Sequence, residues 1–430
     1  MKSRTLKAMT SMLTRREFLK AGVAIGALPV AQFAHAYGSD RIKVGLVGCG
    51  GRGTGAAIDC LRADESTVIW ALGDIFEDRL NNCYAGLSEA FGERVQVPPD
   101  RRFLGFDAYK HVLESDIDVV LLCTPPAFRP IHFLAAMEAG KHVFMEKPVA
   151  VCPEGVRMIL RGDVLAQQKR LGVMPGTQYR WHPGYQGVIE RIRAGHIGEV
   201  RAAYAYYLAA SPAPIPRHEG WSDMVYQLRN WLFYTWLAGD QPVEQLVHNI
   251  DVMNWVMGSV PTRALATGGR QARTAPEHGD VYDHFAIEYE YPNGVRVVAM
   301  CRQMDNVAYR VSNLVVGSEG TALMQQFTDF YVRGKHTWEP GKQWPNPYVE
   351  EHRVLLQSIR RGEPINETRT IAESTLTAIM GRMAAYTGKV VTWEAALNSK
   401  LNYVERVLNI DYDTPAPKDP VPIPGKTPLI

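Results

Sequence analysis

The sequence predicts an α/β fold in which a doubly wound parallel sheet is followed by a second, strand-rich α/β domain. Up to about residue 175, short apolar runs typical of buried parallel strands alternate with helical segments. Further on, HFAIEYEYPNGVRVVAMCRQ alternates apolar and polar residues around Asn293-Gly294, which is a hairpin signal. The runs RAAYAYYLAA and NLVVGSEGTALMQQF predict further strands joined by short turns.

The chain opens with a segment that has the order of an export signal. Arg15 and Arg16 in TRREFLK match the twin-arginine pattern, and the short run AGVAIGALPVAQ leads to a small-residue site that ends at Ala36. That run is too short to span a bilayer, which takes about 20 apolar residues. We therefore expect a twin-arginine signal peptide at residues 1–36, a periplasmic or otherwise extracytoplasmic protein, and no stable membrane anchor. The alternative is a chance Arg-Arg pair.

Composition excludes several classes of partner. The predicted signal holds six of the 47 basic and one of the 45 acidic residues, which leaves 41 basic and 44 acidic residues in the mature chain. Because that surface is mixed and mildly acidic, we expect no nucleic-acid partner. The six cysteines are scattered singly without metal-ligand spacing, so we expect buried thiols and no metal.

A glycine-rich turn follows the first predicted strand. The run from Arg41 to Val47 predicts a buried strand, and Gly48, Gly50 and Gly53 complete G-x-G-x-x-G where a helix begins. Glycine is needed there because the turn is tight and its backbone must approach a pyrophosphate at the helix N-terminus. The pattern predicts a dinucleotide-binding, Rossmann-type domain.

An acidic residue indicates which dinucleotide is bound. The second predicted strand, from Thr67 to Leu72, is followed by Gly73 and Asp74. A carboxylate at this distance accepts a hydrogen bond from a ribose 2′-hydroxyl and repels a 2′-phosphate. NAD is therefore expected rather than NADP, although Arg79 keeps NADP open.

Two more strands complete the first domain. DIDVVLLCTPP ends at Thr124 and Pro125, in the crevice where such sheets bind ligands, and a helix over 130–139 and a strand over 141–145 precede EKP. We place the nucleotide-binding domain at residues 39–175.

Three segments carry a family resemblance. GLVGCGGRG, CTPPAFRPIHFLAAMEAGKHVFMEKPVA and QYRWHPGYQGVIERIRAGHIGEV resemble the glucose-fructose oxidoreductase, inositol dehydrogenase and MocA (Gfo/Idh/MocA) family of NAD(P)-dependent sugar oxidoreductases. The resemblance implies a Rossmann domain, then a domain at 176–395 with a large, open, mostly antiparallel sheet, through which subunits associate into a homo-oligomer. Residues 396–430 form a C-terminal segment with a Pro-rich tail. The residues expected to contact the cofactor are Gly48, Gly50, Gly51, Arg52, Gly53, Asp74, Thr124, Pro125, His132, Glu146 and Lys147.

The predicted catalytic residues are Lys147, His248 and Glu244. Oxidation of an alcohol by hydride transfer needs a base beside the hydroxyl, and Lys147 follows a parallel strand at its carboxyl end. Glu244, His248 and Asp251 share one predicted helix face, where the two carboxylates can orient the imidazole or hold it protonated. The family pattern has Asp where this chain has Glu244.

A carbohydrate substrate would meet arginine donors and aromatic rings. The candidates are Tyr179, Arg180, Arg229, Trp231 and Asp251, with Trp236 as a further aromatic. For the tryptophans, ordinary core packing is an equally good interpretation.

The export signal constrains turnover. Because no NAD pool is maintained outside the cytoplasm, an exported enzyme must carry a tightly bound cofactor and return it to its starting redox state. Three hypotheses follow: a sugar oxidoreductase with two alternating substrates, a redox-neutral NAD-dependent glycosidase or lyase working through a transient keto-sugar, and a non-catalytic carbohydrate-binding relative. The third is disfavoured because Lys147 and His248 are both present.

Overall fold

Six parallel strands form the first sheet. The computed structural model describes residues 41–341 and 343–430, so the predicted signal at 1–36 lies outside the described residues. The sheet order is β3-β2-β1-β4-β5-β6, with every pair parallel. Its strands are β1 Ile42–Val47, β2 Thr67–Asp74, β3 Arg102–Leu104, β4 Val119–Leu122, β5 His142–Met145 and β6 Val173–Pro175.

Helices follow the strands of this sheet, as a doubly wound fold requires. They are α1 Gly51–Ala63, α2 Glu77–Phe91, α3 Ala108–Glu114, α4 Arg129–Glu138 and α5 Pro153–Lys169. The second strand continues two residues beyond the predicted end at Leu72, so Asp74 is its last residue. This order confirms the predicted parallel α/β domain.

The second sheet has eight strands and is mostly antiparallel. Its order is β13-β12-β11-β7-β10-β9-β8-β14, and only the β10–β7 pair among its described strands is parallel. The predicted hairpin joins β9 and β10, with Gly294 at a φ of 80°. The strands are β7 Val200–Ala209, β8 Arg263–Gly269, β9 His284–Glu290, β10 Arg296–Gln303, β11 Arg310–Gly317, β12 Gly320–Gln325, β13 Phe330–Gly334 and β14 Val391–Thr392.

The remaining helices lie between these strands or after them. They are α6 Pro183–Arg193, α7 Asp223–Arg229, α8 Thr235–Ala238, α9 Val247–Met257, α10 Pro347–Arg360, α11 Thr368–Thr387, α12 Trp393–Leu397 and α13 Glu405–Leu408, with a π-helical turn at Pro242–Leu246 directly before α9. Short 3-10 turns occur at Gly92–Arg94, Pro99–Arg101, Gln178–Trp181, Trp231–Phe233 and Pro276–His278.

Helix α11 joins the two sheets into one core. It packs on β8 and β9 of the second sheet and on α5 of the first domain, and most of its residues are buried. The Thr375 hydroxyl lies 3.4 Å from the Val149 amide, two residues beyond Lys147, so this helix also braces the EKP turn. The described residues belong to one compact unit, and the domain boundaries at 175 and 395 stay predictions.

Within the described part of the chain, no helix combines the length and apolar character that crossing a membrane requires.

Candidate active site

The glycine-rich turn opens onto the large cavity at the carboxyl ends of the first sheet. A Cβ on Gly53 would lie 1.8 Å from the Gly48 carbonyl oxygen, so only glycine allows the helix to start this close to the strand. Gly48 itself has a φ of 96°, which favours glycine. The cavity has a volume of about 710 Å³. Among the predicted cofactor residues, its lining includes Gly48, Gly50, Gly51, Arg52, Gly53, Asp74, Thr124, Pro125 and His132.

Asp74 is buried at the edge of this cavity. Its carboxylate accepts the Cys49 amide at 2.6 Å and the Phe76 amide at 2.8 Å, so it also fixes the turn. Burial raises the pKa of Asp74, and these hydrogen bonds partly offset that effect. Because a carboxylate has about four acceptor positions, Asp74 retains capacity for a ribose hydroxyl.

Lys147 and Glu244 meet from opposite halves of the protein. The Lys147 ammonium donates to Glu244 Oε1 at 2.9 Å and also to the Glu244 backbone carbonyl. Each side chain is 14% exposed, so the pair is largely shielded from water. The neighbouring Glu146 accepts from Arg52 Nε at 2.5 Å, which joins the EKP turn to the glycine-rich turn.

His248 lies at the start of α9, beside this pair. Burial lowers the pKa of His248 well below its usual value, and the positive charges of Lys147 and Arg52 lower it further. Its ring lies 5.3 Å from the buried ring of Tyr179, which stacks on Tyr185 at 4.5 Å. The imidazole is therefore neutral at neutral pH, with a ring nitrogen lone pair that is not protonated.

The two carboxylates predicted to orient His248 have other partners. Glu244 holds Lys147, and Asp251 accepts two hydrogen bonds from Arg180 at 2.7 and 2.9 Å and one from Ser374 at 2.8 Å. The expectation that these carboxylates keep the imidazole protonated is corrected, since the pKa of His248 is lowered. Arg180 and Asp251 form a buried ion pair, and their predicted contact with substrate stays a prediction.

Arg229 and Trp231 lie at the end of the cavity near the tip of β2. Arg229 donates to both carboxylate oxygens of Asp78, at 2.7 and 3.1 Å, and its guanidinium lies 3.9 Å from the Phe76 ring. Trp231 lines the same cavity as the glycine-rich turn, whereas Trp236 is fully buried and bonds Gln227. Trp231 therefore shares the cavity of the glycine-rich turn, and the predicted contact of Arg229 and Trp231 with substrate stays a prediction.

Several positioning residues were missed from the sequence. The buried Arg129 guanidinium donates to the carbonyls of Thr124 and Pro148, so it ties together the turns after β4 and β5. Burial lowers the pKa of Arg129 to about 10. Its place in CTPPAFRP, at the first residue of the apolar helix α4, was the signal that could have identified it.

Two tyrosines were also missed, Tyr207 in β7 and Tyr348 at the start of α10. Burial raises the pKa of Tyr207, with a contribution from the charge of Glu244. Tyr348 lies under the Arg52 guanidinium at 5.3 Å and accepts from Gln178 at 3.3 Å. Nothing in the surrounding sequence distinguishes either tyrosine from a core residue.

A dinucleotide fits the residues of this cavity. The close approach of Gly53 to Gly48 exposes backbone at the N-terminus of α1, where a pyrophosphate binds without a side chain in its way. Arg79 Nη1 lies 3.7 Å from the place where a Gly50 Cβ would be, which adds a cation beside that turn. His132 is neutral, because burial and Arg129 lower its pKa to about 3, and it contacts Thr124 at 3.3 Å.

Comparison with known sequences assigns the chain to a family. Residues 42–176 match the sequence profile of an oxidoreductase family with an NAD-binding Rossmann fold, and residues 185–323 match the GFO/IDH/MocA C-terminal domain. The chain belongs to the GFO/IDH/MocA oxidoreductase family. It is accordingly an NAD-dependent oxidoreductase.

Individual relatives are identical to this chain at about a quarter of the aligned positions. An inositol 2-dehydrogenase of Cereibacter sphaeroides is 26% identical over 318 residues, which cover 74% of this chain and 84% of the relative. An inositol 2-dehydrogenase of Saccharopolyspora erythraea is 27% identical over 280 residues, covering 65% and 72%. These relatives are named as dehydrogenases, which does not favour redox-neutral glycoside cleavage.

Solved structures share the fold. Aldose-aldose oxidoreductase from Caulobacter crescentus superimposes with a TM-score of 0.65 at 18% identity, covering 82% of this chain and 99% of that one. Levoglucosan dehydrogenase, solved with NADH and levoglucosan, also gives a TM-score of 0.65, at 17% identity and with the same coverage.

Proposed function

We propose that this protein oxidises a ring hydroxyl of a cyclic polyol or sugar. The observation that carries the proposal is the meeting of Lys147, Glu244 and His248 beside the glycine-rich turn, in a chain related to inositol 2-dehydrogenases. Bound NAD supplies the hydride acceptor for such a reaction. The proton of the hydroxyl must be accepted by a neighbouring base.

The chain's own residues divide this work. His248 is neutral, so an imidazole nitrogen can accept the hydroxyl proton, and Lys147 can stabilise the charge that develops on the same oxygen. Glu244 fixes the Lys147 ammonium through its side chain and its carbonyl. Glu146 and Arg129 hold the EKP turn in place from the side of the nucleotide-binding domain.

The proposal is tested by purifying the full chain and adding a panel of inositols, aldoses and anhydrosugars while absorbance at 340 nm is followed. We expect NADH to form with at least one cyclic polyol or sugar, and Lys147→Ala to abolish most of that signal. Absence of NADH formation with every member of the panel, in a preparation shown to bind NAD, argues against the proposal.

We further propose that the enzyme is exported in folded form with its cofactor resident. Two observations support this proposal: the twin-arginine motif TRREFLK, and the cavity beside the glycine-rich turn in the described part of the chain. A protein that folds around its cofactor before export needs a transport route that accepts folded proteins, and the twin-arginine motif is an address for such a route. Mass spectrometry of the denatured supernatant is expected to detect NAD or NADH. Fractionation of cells that make the full chain and an Arg15→Lys, Arg16→Lys variant tests the route, since only the native chain should reach the extracytoplasmic fraction.

We also propose that the open face of the second sheet is covered by a second copy of the chain. Tyr204 in β7 is the register partner of Val298 in β10 and of Leu314 in β11, which gives an apolar row across three strands. Leu265 on the same sheet is 52% exposed and Met300 is 37% exposed. Exposed apolar area of this kind marks an association surface.

Light scattering tests this association. Leu265→Asp should lower the particle mass to that of a monomer, because a charge would be buried in the apolar contact. Val164→Asp is the control, since Val164 is 46% exposed on α5 of the other domain. A monomeric native protein contradicts the proposal.

A further inference from the structure

A C-terminal strap, which we define as residues 403–419, packs behind the wall at one end of the nucleotide cavity. The Tyr412 hydroxyl donates to the carbonyl of Ile75, the residue directly after Asp74. Its ring lies 4.9 Å from Phe106 and 6.5 Å from Phe76, measured between centroids. Phe76 and Phe106 both line the cavity, so Tyr412 supports two of its wall residues from behind.

A second segment, residues 221–233, closes the same end and is here termed the cover segment. Its Leu228 and Trp231 line the cavity directly. Arg229 in this segment forms the two hydrogen bonds to Asp78, next to the tip of β2. The cover segment and the nucleotide-binding domain are therefore joined by an ion pair beside the residues predicted to hold the adenosine ribose.

The strap and the cover segment are also bonded to each other. Ser222 Oγ donates to the Tyr412 carbonyl at 2.5 Å, and Gln227 Nε2 donates to the Pro417 carbonyl at 2.7 Å. Val407 and Ile410 of the strap share one apolar cluster with Phe76, Met224 and Leu228. The two segments thus form one continuous cover, and displacing either of them disturbs contacts of the other.

We infer that the strap and the cover segment retain the adenosine half of the dinucleotide, and that Tyr412 is the positioning residue whose release limits cofactor exchange. The inference rests on the proposed function, which places NAD in this cavity as a resident cofactor. In Rossmann folds the adenosine ribose binds at the end of the second strand, and here that end carries the Tyr412 contact at Ile75. The sequence does not reveal this contact, because its partners are 337 positions apart.

The test measures cofactor release from the full-length protein. Protein loaded with NADH is mixed with an excess of an NADH-consuming enzyme, and the loss of bound-NADH fluorescence gives the release rate. Tyr412→Ala removes a hydrogen bond and an aromatic contact, so release should be faster by roughly tenfold or more. Tyr412→Phe keeps the ring, and its release rate should fall between the two.

Leu408→Ala is the matched control, since Leu408 lies in the same strap with its side chain 55% exposed. ADP-ribose, which lacks the nicotinamide, is the second probe, and Tyr412→Ala should weaken its binding by a similar factor because only the adenosine end is concerned. Hydrogen exchange at the amides of residues 75–78 should increase in Tyr412→Ala and remain unchanged in Leu408→Ala.

The outcomes separate the two hypotheses. Equal NADH release from native protein and Tyr412→Ala, or equal acceleration by Leu408→Ala, overturns the strap inference and leaves the proposed function intact. A native protein that binds no NADH contradicts the proposed function itself. Faster release in Tyr412→Ala supports the strap inference whether or not any sugar in the panel is oxidised.

Discussion

The protonation state of His248 is the property of the site on which the proposed proton transfer depends most directly. For a histidine with the usual pKa of about 6.5, the neutral fraction would fall roughly 25-fold between pH 7 and pH 5. Burial, Lys147 and Arg52 all lower the pKa of His248, so that it lies well below the usual histidine pKa. The neutral fraction of His248 should therefore change by much less than about 25-fold over the same interval.

Two measurements check this expectation. Histidine ring signals in NMR spectra, with His248 assigned by its absence in His248→Gln, should show no titration midpoint of His248 near pH 6.5 as the pH is lowered from pH 7 to pH 5. The same interval should leave kcat/KM without an acid limb near pH 6.5 that is attributable to this residue. Neither measurement depends on knowing the natural substrate, since any oxidised polyol serves for the second.

A charge variant tests the cause of the lowered pKa. Arg52→Gln removes one of the two cations acting on His248, so the pKa of His248 should rise. It should remain below its usual value, because burial is the largest cause. A native His248 that titrates near pH 6.5 would refute the view that this imidazole is held neutral.

Three further predictions concern catalysis, cofactor choice and stability. Lys147→Ala and His248→Ala should each lower turnover by roughly two to four orders of magnitude while NADH binding is retained. The turnover of the double variant should be little lower than that of either single variant. If the two losses instead add in activation free energy, the two residues act independently. Asp74→Ala should loosen the preference for NAD over NADP, and an unchanged ratio of the two dissociation constants would show that Asp74 does not contact the ribose. Burial, with Arg52, lowers the pKa of His352 to about 3, so its contribution to stability is present above its unfolded pKa and lost as pH falls below about 6.5. The control is His352→Phe, which keeps the stack on Phe144 and cannot titrate. Measured by urea denaturation, the free energy of unfolding of the native protein should fall between pH 7 and pH 5 by about 2 kcal/mol more than that of His352→Phe. Equal decreases in the two proteins would contradict this prediction.

The first domain could be predicted from the sequence because its signals are local. The strand, the glycine-rich turn and the helix from Ile42 to Ala63 are adjacent in the chain, and the steric reasons for Gly48 and Gly53 lie close by. The hairpin at Asn293-Gly294 was predictable for the same reason. In both cases the residues that determine the turn lie within the turn.

The ion pairs and hydrogen bonds of the site could not be predicted, because the residues that form them are distant in sequence. Lys147 and Glu244 are 97 residues apart, and Arg180 and Asp251 are 71 apart. The helical spacing assigned to Glu244 and His248 was also affected by the π-helical turn at Pro242–Leu246, whose hydrogen bonds span one residue more than those of an α-helix. The pattern therefore identified the residues of the helix face but assigned the carboxylates the wrong partner.

The strap and the cover segment contact the nucleotide-binding domain although both are distant from it in sequence. Tyr412 contacts Ile75 across the whole second domain in sequence, and the strap is also bonded to the cover segment through Ser222 and Gln227. If the strap inference holds, we expect NAD to enter the cavity while the strap is displaced and to be retained once the strap contacts have formed. The proposed export separates the enzyme from the cytoplasmic NAD pool. NAD must therefore bind before the strap docks, and the strap must hold the NAD before export begins. The strap inference therefore predicts both slow exchange in the folded protein and efficient loading before the strap docks, from one contact with a sequence separation of 337 residues.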